Sequence, residues 1–97
     1  MCHVFAGQDP ARYTYATRRI RLNGQSTSVR LEQAFWAILD ELADKEDMST
    51  PAFLSTLHAE VLELSGEPTN FTSLLRCTCL KFLELKTAPE EAVLAAE

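Results

Sequence analysis

The polar side chains that could bind an anionic partner recur at every second position in two neighbouring segments of the chain. In chain order they are Arg19, Arg21, Ser26, Ser28 and Arg30. A guanidinium group donates several hydrogen bonds in a planar fork, and a serine hydroxyl can donate or accept. Because a strand places alternate side chains on the same face, this spacing predicts one polar, arginine-rich surface.

The charge of the chain is divided unequally along its length. The 97 residues have a formal net charge of -5, yet residues 1–31 hold five arginines against one acid, a net charge of +4. The remaining residues hold four basic side chains against thirteen acids, a net charge of -9. A local basic surface can attract a polyanion to an acidic protein, because salt screens the more distant charges. The alternative is a charged surface that is simply solvated.

A β-hairpin is predicted around Asn23-Gly24, a dipeptide typical of two-residue turns. Residues 18–22 and 27–31 on either side alternate between apolar and polar side chains. A two-residue turn pairs Leu22 with Gln25 and places all five polar side chains on one face. The opposite face is then apolar and is formed by Ile20, Leu22, Thr27, Val29 and Leu31.

Three helices are expected after the hairpin. Apolar residues spaced three and four apart predict the first over residues 33–45, directly after the second strand. The second helix is expected to begin at Thr50 as N-cap, with Ser49 as the alternative cap. Its predicted inner stripe is Leu54, Leu57, Val61 and Leu64. Asn70 is expected to cap a third helix that ends near residue 85.

Residues that could support catalysis or bind a metal ion are few. The two histidines, His3 and His58, have no evident nucleophile beside them. Cys77 and Cys79 are two residues apart, and a helix directs such residues to different sides. We therefore expect no enzymatic activity, no cofactor and no metal site.

The length of the chain favours one domain. We expect an N-terminal arm over residues 1–17, a folded domain over residues 18–86 and a flexible tail over residues 87–97. No apolar run is long enough for a membrane span, and no signal peptide is visible. The sequence therefore predicts a cytoplasmic protein without a membrane partner.

The order of these elements resembles the ribbon-helix-helix family of dimeric bacterial DNA-binding proteins. The resemblance rests on the Thr-Ser-Val-Arg-Leu-Glu segment at 27–32, the helix over 35–43 and the Met-Ser-Thr turn at 48–50. A closer likeness to a small uncharacterised bacterial subfamily spans residues 1–84. The smallest family members lack two features found here, a basic strand ahead of the ribbon and a third helix.

The resemblance implies a mainly α-helical fold with a short β-ribbon, assembled as an intertwined homodimer. In the family, one strand from each chain contributes to an antiparallel ribbon that lies in the DNA major groove. Carried over to this sequence, the base-contacting residues are Ser26, Ser28 and Arg30, the auxiliary basic residues are Arg19 and Arg21, and the phosphate-contacting residues are Ser49 and Thr50. The implied function is a sequence-specific transcriptional regulator that binds double-stranded DNA, with further assembly of dimers on DNA left open.

Several alternatives remain open at the level of sequence. Arg30 could pair with Glu32 or another acid, and Ser49 and Thr50 could serve only as helix caps. The added strand could flank the ribbon and widen its basic surface, or cover the ribbon and block it. The whole chain could instead be an antitoxin-like interaction module whose third helix or tail binds a protein, or a dimer that has lost DNA binding.

Overall fold

The computed structural model describes residues 2–87, with side chains from residue 3 onward. The elements in chain order are helix α1 (Cys2–Ala6), a 3-10 helix (Pro10–Tyr13), strands β1 (Tyr15–Leu22) and β2 (Gln25–Glu32), and helices α2 (Gln33–Lys45), α3 (Thr50–Ser65) and α4 (Phe71–Thr87). This order confirms the predicted mainly helical fold with a short ribbon and a third helix after it. Most of the expected tail over residues 87–97 lies outside the described residues.

Strands β1 and β2 form the predicted antiparallel hairpin. Leu22 pairs with Gln25 and Arg19 with Ser28, which is the register expected from the sequence. The connecting residues Asn23 and Gly24 have φ angles of 51° and 82°, as a type I′ turn requires at both central positions. The second strand is therefore paired within its own chain along one edge.

The inner face of the hairpin packs on the helices. Ile20, Leu22, Val29 and Leu31 are buried there, and each fully buried side chain of this size contributes about 1.5–3 kcal/mol before entropic losses. The residues of the helices that complete the core with them are Trp36, Leu39, Leu54, Leu75 and Cys79. Thr27 was expected on this apolar face, but it is exposed, because it lines a groove beside β2 instead of packing in the core.

Helix α2 follows β2 without a linker and spans the predicted residues. Its Trp36 joins the helix to the sheet, because the indole Nε1 donates a hydrogen bond of 2.8 Å to the carbonyl oxygen of Ala16 on β1. Cys79 of α4 packs beneath the same helix, and burial raises the pKa of its thiol to about 11. A thiol in this state is a packing group rather than a nucleophile.

The helix ends correct two expectations. Ser49 is the N-cap of α3, since its Oγ accepts a hydrogen bond of 3.2 Å from the backbone N–H of Ala52, and Thr50 is the first helical residue. The alternative cap was therefore right and Thr50 as cap was wrong.

Leu64 was expected on the inner stripe but is 85 % exposed, because burial falls along α3 towards its C-terminal end.

The third helix begins as predicted and extends slightly further. The side-chain oxygen of Asn70 accepts a hydrogen bond of 3.1 Å from the N–H of Ser73, which caps α4. The helix then continues to Thr87, two residues beyond the expected end.

The 3-10 helix of the N-terminal arm packs against α2 rather than across the sheet. Its 3-10 helix is capped by Asp9, whose carboxylate accepts a hydrogen bond of 3.0 Å from the N–H of Ala11. The carbonyl of Thr14 then accepts a hydrogen bond of 2.9 Å from the N–H of Gln33 at the start of α2. Strand β1 begins at Tyr15, three positions before the expected start of the domain.

Candidate nucleic-acid interface

The outer face of the hairpin, called the polar face below, brings the predicted sheet residues together. It consists of the alternate positions Tyr15, Thr17, Arg19, Arg21, Ser26, Ser28, Arg30 and Glu32. Arg19 lies opposite Ser28, Arg21 lies opposite Ser26, and all five predicted residues are exposed. The added strand β1 therefore lies beside β2 in the sheet and widens this surface instead of covering it.

The three arginines of the polar face contact neutral groups. Arg19 donates a hydrogen bond of 3.3 Å to the Oγ of Ser26, and Arg21 donates one of 3.2 Å to the carbonyl of Gly24. The guanidinium of Arg30 lies 4.2 Å from the ring centre of Tyr15, a cation–π arrangement that leaves its charge in place. Among residues 2–87, none of these three arginines makes an ion pair.

Glu32, the acid considered as a partner of Arg30, is engaged elsewhere. Its carboxylate accepts a hydrogen bond of 3.2 Å from the Nε of Arg76 on α4. This ion pair links the end of β2 to the third helix. The charge of Arg30 is therefore not neutralised by Glu32.

A second polar cluster, not anticipated from the sequence, joins β1, α2 and α3. Two Nη atoms of Arg18 donate to the two carboxylate oxygens of Asp40 over 2.8 and 3.0 Å, and the Thr50 hydroxyl donates to the same carboxylate over 2.6 Å. The hydrogen bond from Arg18 is the main reason why the pKa of Asp40 lies below its ordinary value. The guanidinium also lies 4.4 Å from the ring centre of Trp36.

The predicted phosphate-contacting residues lie at this second cluster, whereas the other five predicted site residues share the polar face. Ser49 and Thr50 begin α3, and Thr50 is joined through Asp40 to Arg18, which points to the inner side of β1. Both hydroxyl groups are already engaged, that of Ser49 as the helix cap and that of Thr50 as a donor to Asp40. The sequence offered one signal for this cluster, since the predicted register places Arg18 opposite Val29 on the inner face.

The other edge of β2 is open among the described residues. A two-residue turn makes Leu22 and Gln25 a hydrogen-bonded pair. Because such pairs alternate along an antiparallel ladder, every second residue of β2 directs its backbone N–H and C=O to the open edge. These residues are Ser26, Ser28, Arg30 and Glu32.

A groove of about 680 Å³ follows this open edge between β2 and the turn that connects α3 to α4. His58 lines the groove and is only 7 % exposed, with its ring edge-on to Phe71 at 5.1 Å. Its Nε2 is 3.7 Å from the carboxylate of Glu67, and its buried Nδ1 has no hydrogen-bond partner among the described residues.

The profile of the family described as "Ribbon-helix-helix domain" matches residues 15–83, from the first residue of β1 into the last turns of α4. The chain belongs to the ribbon-helix-helix family. Its ribbon-helix-helix domain is a fold of the DNA-binding, regulatory type, and members of the family typically dimerise.

Among solved structures, this ribbon-helix-helix chain is similar to an uncharacterised protein from Bordetella pertussis Tohama I. The two are 36 % identical with a TM-score of 0.86, and the match covers 95 % of this chain and 81 % of the other. A comparison with curated proteins gives no match. Within residues 2–87, no helix has the length and hydropathy needed to cross a membrane, and no three His, Cys, Asp or Glu side chains converge as metal ligands.

Proposed function

We propose that the protein is a homodimeric, sequence-specific DNA-binding protein that acts as a transcriptional regulator. The observation that carries this proposal is the polar face, where Arg19, Arg21 and Arg30 are exposed and make no ion pair among residues 2–87. The body of the protein is acidic, but salt screens charges beyond about 8–10 Å. A polyanion that approaches the sheet therefore meets mainly these three guanidinium groups.

The open edge of β2 supports dimerisation through a second copy of the chain. An unpaired strand edge is a template for another strand, and two-fold symmetry would join the two β2 strands antiparallel. In this pairing an outward-directed residue of one copy lies opposite an outward-directed residue of the other, and these residues are all even-numbered. The two-fold axis that gives the longest overlap of the two strands therefore passes through Ser28 or Val29. Either choice places Arg30 opposite a serine of the second copy, Ser26 or Ser28. Like charges are thus kept from lying directly opposite each other.

The resulting four-stranded sheet suggests a division of labour on DNA. Neighbouring strands lie about 4.8 Å apart, so the two outer β1 strands would be about 14 Å apart, slightly wider than the roughly 12 Å major groove. The central β2 strands would then lie over the bases and the β1 strands over the phosphates. This arrangement assigns base contacts to Ser26, Ser28 and Arg30, and phosphate contacts to Arg19 and Arg21.

Arg30 is the proposed main determinant of base preference. Its guanidinium can donate two hydrogen bonds to one guanine, whereas each serine offers one hydroxyl that several base edges accept. Phosphate contact at the start of α3 would use the backbone N–H groups of Ser49 and Thr50, because that of Ala52 donates to the Ser49 Oγ and Pro51 has none. The hydroxyl groups of Ser49 and Thr50 are already engaged within the protein.

Fluorescence anisotropy with a labelled DNA duplex at several salt concentrations tests the proposal. The affinity should fall with salt, with a log–log slope of about -0.9 for each phosphate contacted. Replacing Arg19 and Arg21 by alanine should make this slope shallower. The matched control replaces two lysines that lie away from the polar face, Lys45 of α2 and Lys81 of α4, by alanine. This control should leave the slope unchanged. Absence of salt-dependent binding, or a stable monomer in light scattering, would overturn the proposal.

A second candidate function is favoured by the outer surface of α4. Leu80 and Leu85 are about half exposed. Leu85 also lines an apolar groove of about 530 Å³, together with Leu42, Phe53, Leu74 and Phe82. Lys81 and Glu46 also line the groove, so its border carries charges of both signs. The apolar lining of this groove suits the apolar face of an amphipathic helix, as in antitoxin-like modules. Replacing Leu80 and Leu85 by serine should abolish capture of a protein partner while leaving DNA binding intact.

A further inference from the structure

The carboxylate of Asp40 occupies a set of donors that would also suit a phosphate. Both of its oxygens are bound by the forked guanidinium of Arg18, and one also accepts the hydroxyl hydrogen of Thr50, the first residue of α3. Arginine forks and the starts of helices are recurrent partners of phosphate groups. In this chain an internal anion already holds them.

We propose that Asp40 is a specificity-determining residue of the DNA interface, because its carboxylate stands in for a phosphate and keeps Arg18 and Thr50 from the DNA backbone. The inference rests on the proposed DNA-binding function and adds to it a residue that prevents a contact with DNA. Arginine contacts to phosphate strengthen binding to every sequence alike. Withholding one such contact in each protomer leaves a larger share of the affinity to Arg30.

The position and charge of the cluster support this role. The side chains of Arg18 and Asp40 are 38 % and 46 % exposed, so the pair lies at the surface, within reach of a ligand. Arg18 projects from the inner side of β1, at the border between the sheet and the start of α3, whereas Arg19 and Arg21 project from the outer side of the same strand. A phosphate that approached Arg18 would first have to displace the carboxylate or face its negative charge. Arg18 is therefore withheld, whereas Arg19 and Arg21 are available.

The test compares two variants that remove one negative charge from adjacent positions of α2. Asp40→Asn keeps the size of the side chain and an oxygen for the Thr50 hydroxyl, but releases the guanidinium of Arg18. Glu41→Gln is the matched control, because Glu41 forms an equivalent ion pair of 2.8 Å with Lys86 on α4. Both full-length variants and the unmodified protein are titrated into a fluorescein-labelled duplex of mixed sequence across a salt series, after circular dichroism has confirmed the fold.

Asp40→Asn should bind the mixed duplex more tightly at low salt and with a steeper salt dependence. One added phosphate contact per protomer makes the log–log slope of a dimer steeper by about 1.8, so the loss of affinity between 50 and 200 mM salt becomes about twelvefold larger. Glu41→Gln should behave as the unmodified protein. Adding Arg18→Ala to Asp40→Asn should abolish the gain, since Arg18 is the group released.

The possible results separate this inference from the proposed function. If the unmodified protein binds DNA and Asp40→Asn has the same slope or binds more weakly, the inference is overturned and the proposed function stands. An equal gain in Glu41→Gln would also overturn it, because the effect would then be one of net charge. If neither the unmodified protein nor Asp40→Asn binds DNA, both proposals are overturned.

Discussion

The basic residues of the polar face and those around the helices differ in what they contact. Arg18, Arg76 and Lys86 each reach a carboxylate, those of Asp40, Glu32 and Glu41 respectively. Each of these pairs joins two elements of the fold. Arg19, Arg21 and Arg30 instead contact a hydroxyl, a carbonyl and an aromatic ring. The first three cations are paired with an acid and connect parts of the molecule. The other three have no acidic partner among residues 2–87, so their charge is available to a ligand.

Energetics explains why this difference matters more for binding than for stability. An exposed ion pair contributes only about 0–1 kcal/mol to folding, so pairing Arg18 with Asp40 stabilises the fold little. The same pairing removes one positive charge from the local potential, which governs the approach of a polyanion. The arrangement of acids around the sheet should therefore alter the affinity for a polyanion more than the stability of the fold.

The largest expected effect tests whether the two faces of β2 have separate roles. Leu31 is fully buried on the inner face, whereas its neighbour Arg30 is exposed on the polar face. Leu31→Ala should lower the free energy of unfolding by about 2–5 kcal/mol, and Arg30→Ala should change it by less than about 0.5 kcal/mol. Chemical denaturation followed by circular dichroism measures both. A loss of stability in Arg30→Ala comparable to that in Leu31→Ala would contradict the division.

The next effect concerns base preference. Arg30→Ala should reduce the discrimination between a selected duplex and its single-base variants by about 1–3 kcal/mol at one position per half-site. Arg19→Ala should instead weaken binding to all duplexes to a similar extent. Competition binding at fixed salt measures both quantities. Unchanged discrimination in Arg30→Ala would show that this side chain does not read a base.

The smallest effect is the pH dependence contributed by Asp40. Hydrogen bonding to Arg18 lowers its pKa in the folded state, so its stabilising effect is present above the unfolded pKa of about 3.9 and is lost as pH falls through the lower folded value. Because the pair is partly exposed, the contribution should be below about 1 kcal/mol. Denaturation at neutral pH and near pH 3 should show a smaller acid-induced loss in Asp40→Asn. Parallel losses in the variant and the unmodified protein would exclude this contribution.

The polar face could be predicted because local rules determine it. Asn23-Gly24 sets the length of the turn, and alternation of side chains then decides which residues share a face. The register and the exposure of Arg19, Arg21 and Arg30 follow from these two features. The bounds of α2 were equally accessible, since its apolar spacing begins immediately after the strand.

The second cluster could not be predicted in the same way, because it depends on contacts between distant residues. Asp40 is 22 positions from Arg18, and only the packing of α2 against the sheet brings them together. The same contact settles the cap of α3. Ser49 and Thr50 are both suitable caps in sequence, but the Thr50 hydroxyl donates to Asp40. Thr27 shows a similar limit, since its exposure depends on what covers the edge of β2.

The hairpin can change in length at its tip more easily than within its strands. A residue inserted between Asn23 and Gly24 makes a three-residue loop, a common hairpin connection, and can leave Leu22 opposite Gln25. A residue inserted within β1 would instead turn over the part of the strand on one side of it, so that arginine side chains face the core and apolar side chains face water. Because Gly24 is surrounded by open space, the tip should tolerate insertions that the strands select against.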